Sequence, residues 1–141
     1  MHATLVLRSR RPLCRGFRSD RLYARFGGAA MNDEKLPRST TRELTFRNGS
    51  AIGISNRWEN GQYCSILTRR GIVGCGIYDM VTPTEFNQAI AIAKGTPSVP
   101  LVEPEDLFDA TIVDATPQAK ALGIEIGMTG RQAVEKMLAA E

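Results

Sequence analysis

Apolar and polar positions first alternate regularly after residue 41, where Arg42–Phe46 and Ser50–Ser55 each read as a half-buried strand. Arg47-Asn48-Gly49 joins them. Asn-Gly is a strong hairpin signal, because both residues accept the positive φ that a tight turn between right-twisted strands requires. A second hairpin is predicted from Gly61–Thr68 and Ile72–Tyr78, turning at Arg69-Arg70-Gly71. It brings Cys64 near Cys75. With a two- or three-residue turn the two sulfurs either face each other or sit one position out of register. Residues 56–62 read as the loop between the hairpins, with Trp58 and Tyr63 beside it as an aromatic lip or as interface core.

Beyond Tyr78 the apolar spacing lengthens. Thr82-Pro83-Thr84-Glu85 combines a cap, a proline suited to the first helical position and a capping-box glutamate. Phe86, Ala89, Ile90 and Ala93 continue at helical spacing, and Gly95 supplies a stop, so a helix is predicted between Thr82 and Gly95. Pro97–Pro104 is a proline-rich connection, Glu105–Phe108 a short helical turn and Ala110–Asp114 a strand. Thr116-Pro117 opens a short helix that Gly123 ends, and Ile124-Glu125-Ile126 turns the chain toward Gly127. Thr129 with Gln132 forms a capping box for a last helix carrying Ala133, Val134, Met137 and Leu138 inward. The order predicts an α+β fold: N-terminal antiparallel β-hairpins, then helices and a further strand, in a single compact domain.

Charge changes the picture once the chain is divided. Residues 1–30 hold seven of the eighteen basic residues and one of the fifteen acidic ones, so the net charge of +3 belongs to that segment. From Met31 onward eleven basic face fourteen acidic residues, a net −3. The basic character therefore comes from seven arginines in a stretch without helical or strand period, and a nucleic-acid partner is not expected. Met31-Asn-Asp-Glu34 reads as an ordinary polar N-terminus, which favours a mispredicted start and a disordered basic tail over residues 1–30. An Arg-rich, acid-poor transit peptide is the second reading, and Ala3–Leu7 is too short for a secretory signal. Residues 31–41 then form a polar leader and 42–141 the domain. No run reaches membrane-spanning length, so a cytoplasmic protein without a membrane partner is expected.

Three cysteines, Cys14, Cys64 and Cys75, make neither a disulfide scaffold nor a zinc cluster. The single histidine is His2, which removes Ser-His-Asp and Cys-His catalysis from the domain and the commonest transition-metal ligand with it. No metal site is expected, and the residues name no cofactor. Chemistry concentrates in Gly71-Ile-Val-Gly-Cys-Gly-Ile-Tyr-Asp79, where three glycines in a strand pattern signal a bulge, a close backbone approach or a pocket floor. Cys75 is the candidate nucleophile, with Gly74, Gly76 and Tyr78 as candidate ligand-binding neighbours. The competing reading is a small buried strand residue. Asp79 is either a general base or the residue that fastens the turn. Thr129 and Arg131 at the last helix start are candidate anion ligands, provided the Thr129 side chain does not already satisfy the helix donors. Lys94-Gly95-Thr96-Pro97 looks like part of a phosphate loop, but the predicted helix C-terminus there favours capping.

These motifs, with Ala91-Ile-Ala-Lys-Gly-Thr-Pro97, Pro104-Glu-Asp-Leu107, Ala121-Leu-Gly-Ile124 and Gly127-Met-Thr-Gly-Arg-Gln-Ala133, resemble the YunC-like family, a domain of unknown function (DUF1805), over residues 42–139. The resemblance implies an α+β domain that assembles through its N-terminal β region into a homo-oligomer, a tetramer in the family, and it implies no established reaction. Residues 1–30 have no counterpart in the family pattern. Three functions follow: a non-catalytic oligomeric module binding a small anionic ligand or partner, a small enzyme using Cys75 as nucleophile, or a purely structural assembly subunit.

Overall fold

The computed structural model of the chain describes residues 37–140. The expected basic tail 1–30 and residues 31–36 of the leader lie outside the described residues. Six strands form one sheet in chain order: β1 (Arg38–Phe46), β2 (Gly49–Trp58), β3 (Gly61–Leu67), β4 (Ile72–Cys75), β5 (Ile90–Lys94) and β6 (Thr111–Ala115). All neighbours are antiparallel except β4 and β5, which run parallel. Helices α1 (Val81–Glu85), α2 (Pro117–Ala121) and α3 (Gly130–Ala139) complete an α+β domain, with a 3-10 turn at Pro104–Leu107.

The first hairpin forms where expected, with Phe46 paired to Gly49, but its two turn residues are Arg47-Asn48 and not Asn-Gly: Gly49 takes a positive φ of 142° and Asn48 does not. β1 begins at Arg38, inside the expected leader, because the antiparallel ladder continues to Arg38 opposite Arg57. The expected loop 56–62 is instead a third tight hairpin, with Trp58 paired to Gly61 across Glu59-Asn60. Asn60 takes the left-handed conformation at φ 63°. A Cβ on Gly61 would lie 2.2 Å from the Trp58 ring, so the glycine lets the indole close over the turn.

The largest correction concerns the helix predicted between Thr82 and Gly95. It ends at Glu85, and Ile90–Lys94 is a strand. Ile90, Ala91, Ile92 and Ala93 are all buried, between β4 on one side and β6 on the other. A short apolar run buried on both faces carries no period that separates strand from helix, and pairing on both edges decides for strand. Asn87 turns the chain out of α1 at φ 55°, and Phe86, expected in the core, is exposed. Thr82 does not cap and Glu85 completes no box; Asp79 holds the start of α1.

α3 lies against β2, β4 and β6, burying Ala133, Val134, Met137 and Leu138 as predicted. Its capping box is present: the Thr129 N–H donates to Gln132 Oε1 at 2.9 Å, and the Gln132 N–H donates to Thr129 Oγ1 at 3.2 Å. Arg42 on β1 reaches Glu105 through Nε at 2.8 Å and Glu103 through Nη2 at 2.9 Å, and Arg57 on β2 also pairs with Glu103. This network ties β1 and β2 to the 3-10 turn. Its groups are more than a third exposed, so solvent screening keeps its contribution small.

Thr116 closes the other end of the sheet. Its buried Oγ1 accepts from Ile90 N at 3.0 Å and from Ala119 N at 3.3 Å, and donates to Gln88 O at 2.8 Å. One hydroxyl thus caps α2 and anchors the entry into β5. Thr116→Val keeps the shape but strands two buried donors, Ile90 N and Ala119 N, and is expected to cost about 2–3 kcal/mol. Denaturant unfolding should show a lower midpoint at unchanged slope. A loss below about 0.5 kcal/mol would mean that the clip does not stabilise β5.

Candidate functional site

Cys75 ends β4 and Lys94 ends β5, in a parallel register that pairs Cys75 with Ala93. Parallel strands deliver their C-terminal ends to the same sheet edge, so the segments after Cys75 and after Lys94 leave side by side. An open cleft of about 420 Å³ lies there, lined among others by Gln62, Cys75, Gly76, Lys94, Thr96 and Leu101. Lys94 is the single charged side chain among its described lining residues.

The glycines of the central motif serve different purposes. A Cβ on Gly71 would lie 2.3 Å from the Ala89 carbonyl, and one on Gly74 would lie 2.3 Å from the Tyr78 ring, so both permit close approach. A Cβ on Gly76 would meet nothing within 4 Å; Gly76 is exposed and faces the cleft. Gly95 allows the returning chain to pack, since a Cβ there would sit 2.8 Å from Val99 O. Thr96 and Val99 exchange two backbone hydrogen bonds, 3.1 and 3.0 Å, which hold the Pro97-Ser98 reversal at the cleft wall. Lys94-Gly95-Thr96-Pro97 therefore follows a strand, and the helix-capping expectation for Gly95 is replaced.

The register of β3 on β4 pairs Ser65 with Gly74, and one further step sets Cys64 opposite Cys75. The facing alternative is the one the fold adopts, through a four-residue connection from Thr68 to Gly71. Both thiols are free. Cys64 is 0% exposed; Cys75 is 8% exposed and borders the cleft. A hydrogen bond from the Cys64 thiol lowers the Cys75 pKa to about 6, with help from the backbone N–H groups of Cys64 and Ile77 and against the effect of burial. Cys64 is driven the opposite way, by that same hydrogen bond and then by burial, and keeps its proton. Of the two thiols, the one that meets the cleft is the one whose ionisation is favoured.

Asp79 is occupied elsewhere. Its carboxylate accepts from Val81 N at 3.1 Å and from Thr82 N at 3.0 Å, bonds that also depress its pKa. It is not among the cleft-lining residues. The turn-fastening role is the one its geometry serves. Tyr78 folds back over Gly74 on the sheet face opposite Cys75, stacking edge-on to Tyr63 at 6.2 Å. Burial raises its pKa, opposed by a hydrogen bond with Ser65.

Thr129 and Arg131 stand apart from this site. At the start of α3 the amides of Gly130, Arg131 and Gln132 are taken by Ala110 O, Phe108 O and Thr129 Oγ1. The Arg131 guanidinium lies 4.1 Å from the Phe108 ring centroid. The first turn is satisfied within the chain. The sequence pattern did not assign Gln62, Lys94 or Leu101 to the site: Gln62 on β3 and Lys94 on β5 reach it through strand pairing, and Leu101 through the connection after β5.

With its pKa lowered to about 6, the Cys75 thiol is expected to react as a thiolate near neutral pH. Reaction with neutral iodoacetamide should rise with pH through a midpoint near 6, the pKa of the Cys75 thiol, and level off above it, since only the thiolate reacts. Cys64→Ala removes the donor while burial remains, so the midpoint should move upward and the rate at pH 7 should fall roughly tenfold. A midpoint unchanged in Cys64→Ala would show that Cys64 does not activate its partner.

Among the described residues no helix is long and apolar enough to cross a membrane, and no group of three or more His, Cys, Asp or Glu side chains is placed to hold a metal ion. No curated protein matches the sequence. A crystal structure of a protein of unknown function, TA1206 from Thermoplasma acidophilum, is similar in fold, with a TM-score of 0.62 at 18% identity, covering 72% of this chain and 94% of that one. The family model described as "Domain of unknown function (DUF1805)" matches residues 74–137, a shorter stretch than the 42–139 of the motif resemblance. That match opens on the Gly74-Cys75-Gly76 corner and runs through β5 and β6 into α3, so over this segment the chain is similar to the DUF1805 domain, consistent with the YunC-like family its motifs resemble.

Proposed function

We propose that this domain is a small thiol-dependent enzyme in which Cys75 attacks an anionic, electrophilic small molecule held in the cleft between the ends of β4 and β5. The observation that carries this reading is the composition of the cleft: one nucleophile, Cys75, one charge, Lys94, and no carboxylate among the described lining residues. A positive group at the mouth attracts an anion, and the thiolate meets it there. A non-catalytic module binding the same anions accounts for Lys94, but it gives no role to a thiol activated by Cys64 at the cleft floor.

Paired alkylating probes test both residues at once. Iodoacetate, an anion, and neutral iodoacetamide are compared on Cys75, each rate normalised to a free thiol. The anionic probe should be favoured, and Lys94→Gln should reduce that preference about fivefold, the value of about 1 kcal/mol for a screened contact between charges. Equal normalised rates that Lys94→Gln leaves untouched would remove the anion from the proposal. Labelling of Cys75 only after denaturation would remove the enzyme.

A homo-oligomer built through the β region is a compatible second part of this proposal, supported by the sheet face opposite the α3-covered core. Ile52, 41% exposed, pairs with Leu67, which pairs with Ile72, giving an apolar row across β2, β3 and β4. A second copy of the chain is the occupant proposed for it, its matching row burying this one. Ile52→Glu should leave the monomer folded and shift sedimentation toward the monomer. An unchanged assembly state in that variant would place the contact elsewhere.

A further inference from the structure

Cys64 and Cys75 follow the last β3–β4 pair, Ser65 with Gly74, by one residue on each strand, so the antiparallel register sets them opposite each other with side chains on one face of the sheet. Directly opposed Cα atoms lie about 4.5 or 5.5 Å apart, and both values fall within the range of about 4.4–6.8 Å that a disulfide spans. Their accessibility differs in kind: Cys75 opens onto the cleft, whereas Cys64 is sealed behind it. A reagent entering the cleft meets one sulfur first and finds the second within bonding reach behind it.

We propose that Cys75 and Cys64 form a dithiol–disulfide pair acting on small disulfides, with Cys75 as the attacking sulfur and Cys64 as the resolving one. This rests on the reading of Cys75 as the nucleophile of the cleft, and adds to it a second thiol and a substrate class. In the first step the Cys75 thiolate attacks one sulfur of a disulfide RSSR; a Cys75–SR bond forms, the RS–SR bond breaks, and RS⁻ leaves with the electron pair. In the second step Cys64 loses its proton to the solvent or to the departing thiolate and attacks the Cys75 sulfur. The Cys64–Cys75 bond forms and the second RS⁻ is expelled. One RSSR becomes two RSH; the protein gives up two electrons and the Cys64 proton, and the second proton comes from the solvent, because Cys75 enters the first step as the thiolate. The sequence of steps has a physical trigger. Forming the mixed disulfide abolishes the negative charge on Cys75 that kept the proton on Cys64, so the resolving thiol is released only after the first bond has formed.

The test uses the full chain carrying Cys14→Ser, which leaves Cys64 and Cys75 as its two thiols. The probe is dithiobis(nitrobenzoate), an anionic aromatic disulfide whose released thiolate is coloured. The native protein should release two thiolates per chain, lose the mass of two hydrogens, and yield a peptide joining Cys64 to Cys75. Adding Cys64→Ser, or Cys64→Ala as a second variant, should release one thiolate and leave one stable aromatic adduct on Cys75. Adding Cys75→Ser should release none until the protein is denatured. A stable adduct in the protein that keeps both cysteines would overturn the pairing while leaving Cys75 a nucleophile. No release from the native two-cysteine protein would overturn both readings. Release from the Cys75→Ser variant as fast as from its parent would overturn the order of attack.

Discussion

The parallel pairing of β4 with β5 is the constraint on which the rest of this domain depends. Four antiparallel strands can follow one another through short turns, as β1 to β4 do. A parallel neighbour requires the chain to travel back along the full strand length before pairing. Residues 76–89 make that journey, with α1 as its one helical turn sequence. Asp79 fixes the start of the crossover through two backbone amides, and Thr116 fixes its end through Ile90 N and Gln88 O. Once β5 is seated, Cys75 and Lys94 emerge at the same edge and the cleft exists.

Within that frame the cysteine pair is an electrostatic unit. Burial alone would raise the pKa of both thiols, since each thiolate would leave water. Opposition across β3 and β4 changes the outcome for one of them, because a thiol donor beside a thiolate replaces part of the lost hydration. The cost of a second negative charge then falls on Cys64, the sulfur farther from solvent. Tyr78 lies on the other face of the sheet, packed on Gly74 and Ser65, and stiffens the backbone under this pair without joining it. Two of the motif's glycines thus admit packing partners, Ala89 and the Tyr78 ring, whereas a Cβ on the third, Gly76, would meet nothing within 4 Å.

Local signals were legible where a single residue performs a local task. The Arg47-Asn48-Gly49 segment turned the first hairpin, Thr116-Pro117 and Gly123 bounded α2, and Thr129 with Gln132 boxed the start of α3. The α3 stripe of Ala133, Val134, Met137 and Leu138 was read correctly because a helix buried on one side keeps its period. Ile90–Ala93 was misread for the complementary reason: a segment covered on both faces has no polar phase to report its period. The expected loop at 56–62 failed differently, since its turn signal is one asparagine in the left-handed region and a glycine beneath an indole.

The sequence by itself determined the α+β class, the place of the first hairpin and the caps of α2 and α3. Each depends on neighbours within a few residues, and dihedral preference and hydrogen-bond chemistry act at that range. Only the tertiary structure decided that Ile90–Lys94 is a strand, that Cys64 faces Cys75 and that Lys94 stands at the cleft. Those outcomes depend on register and strand direction, set by the simultaneous burial of many side chains on a sheet and encoded in no single segment.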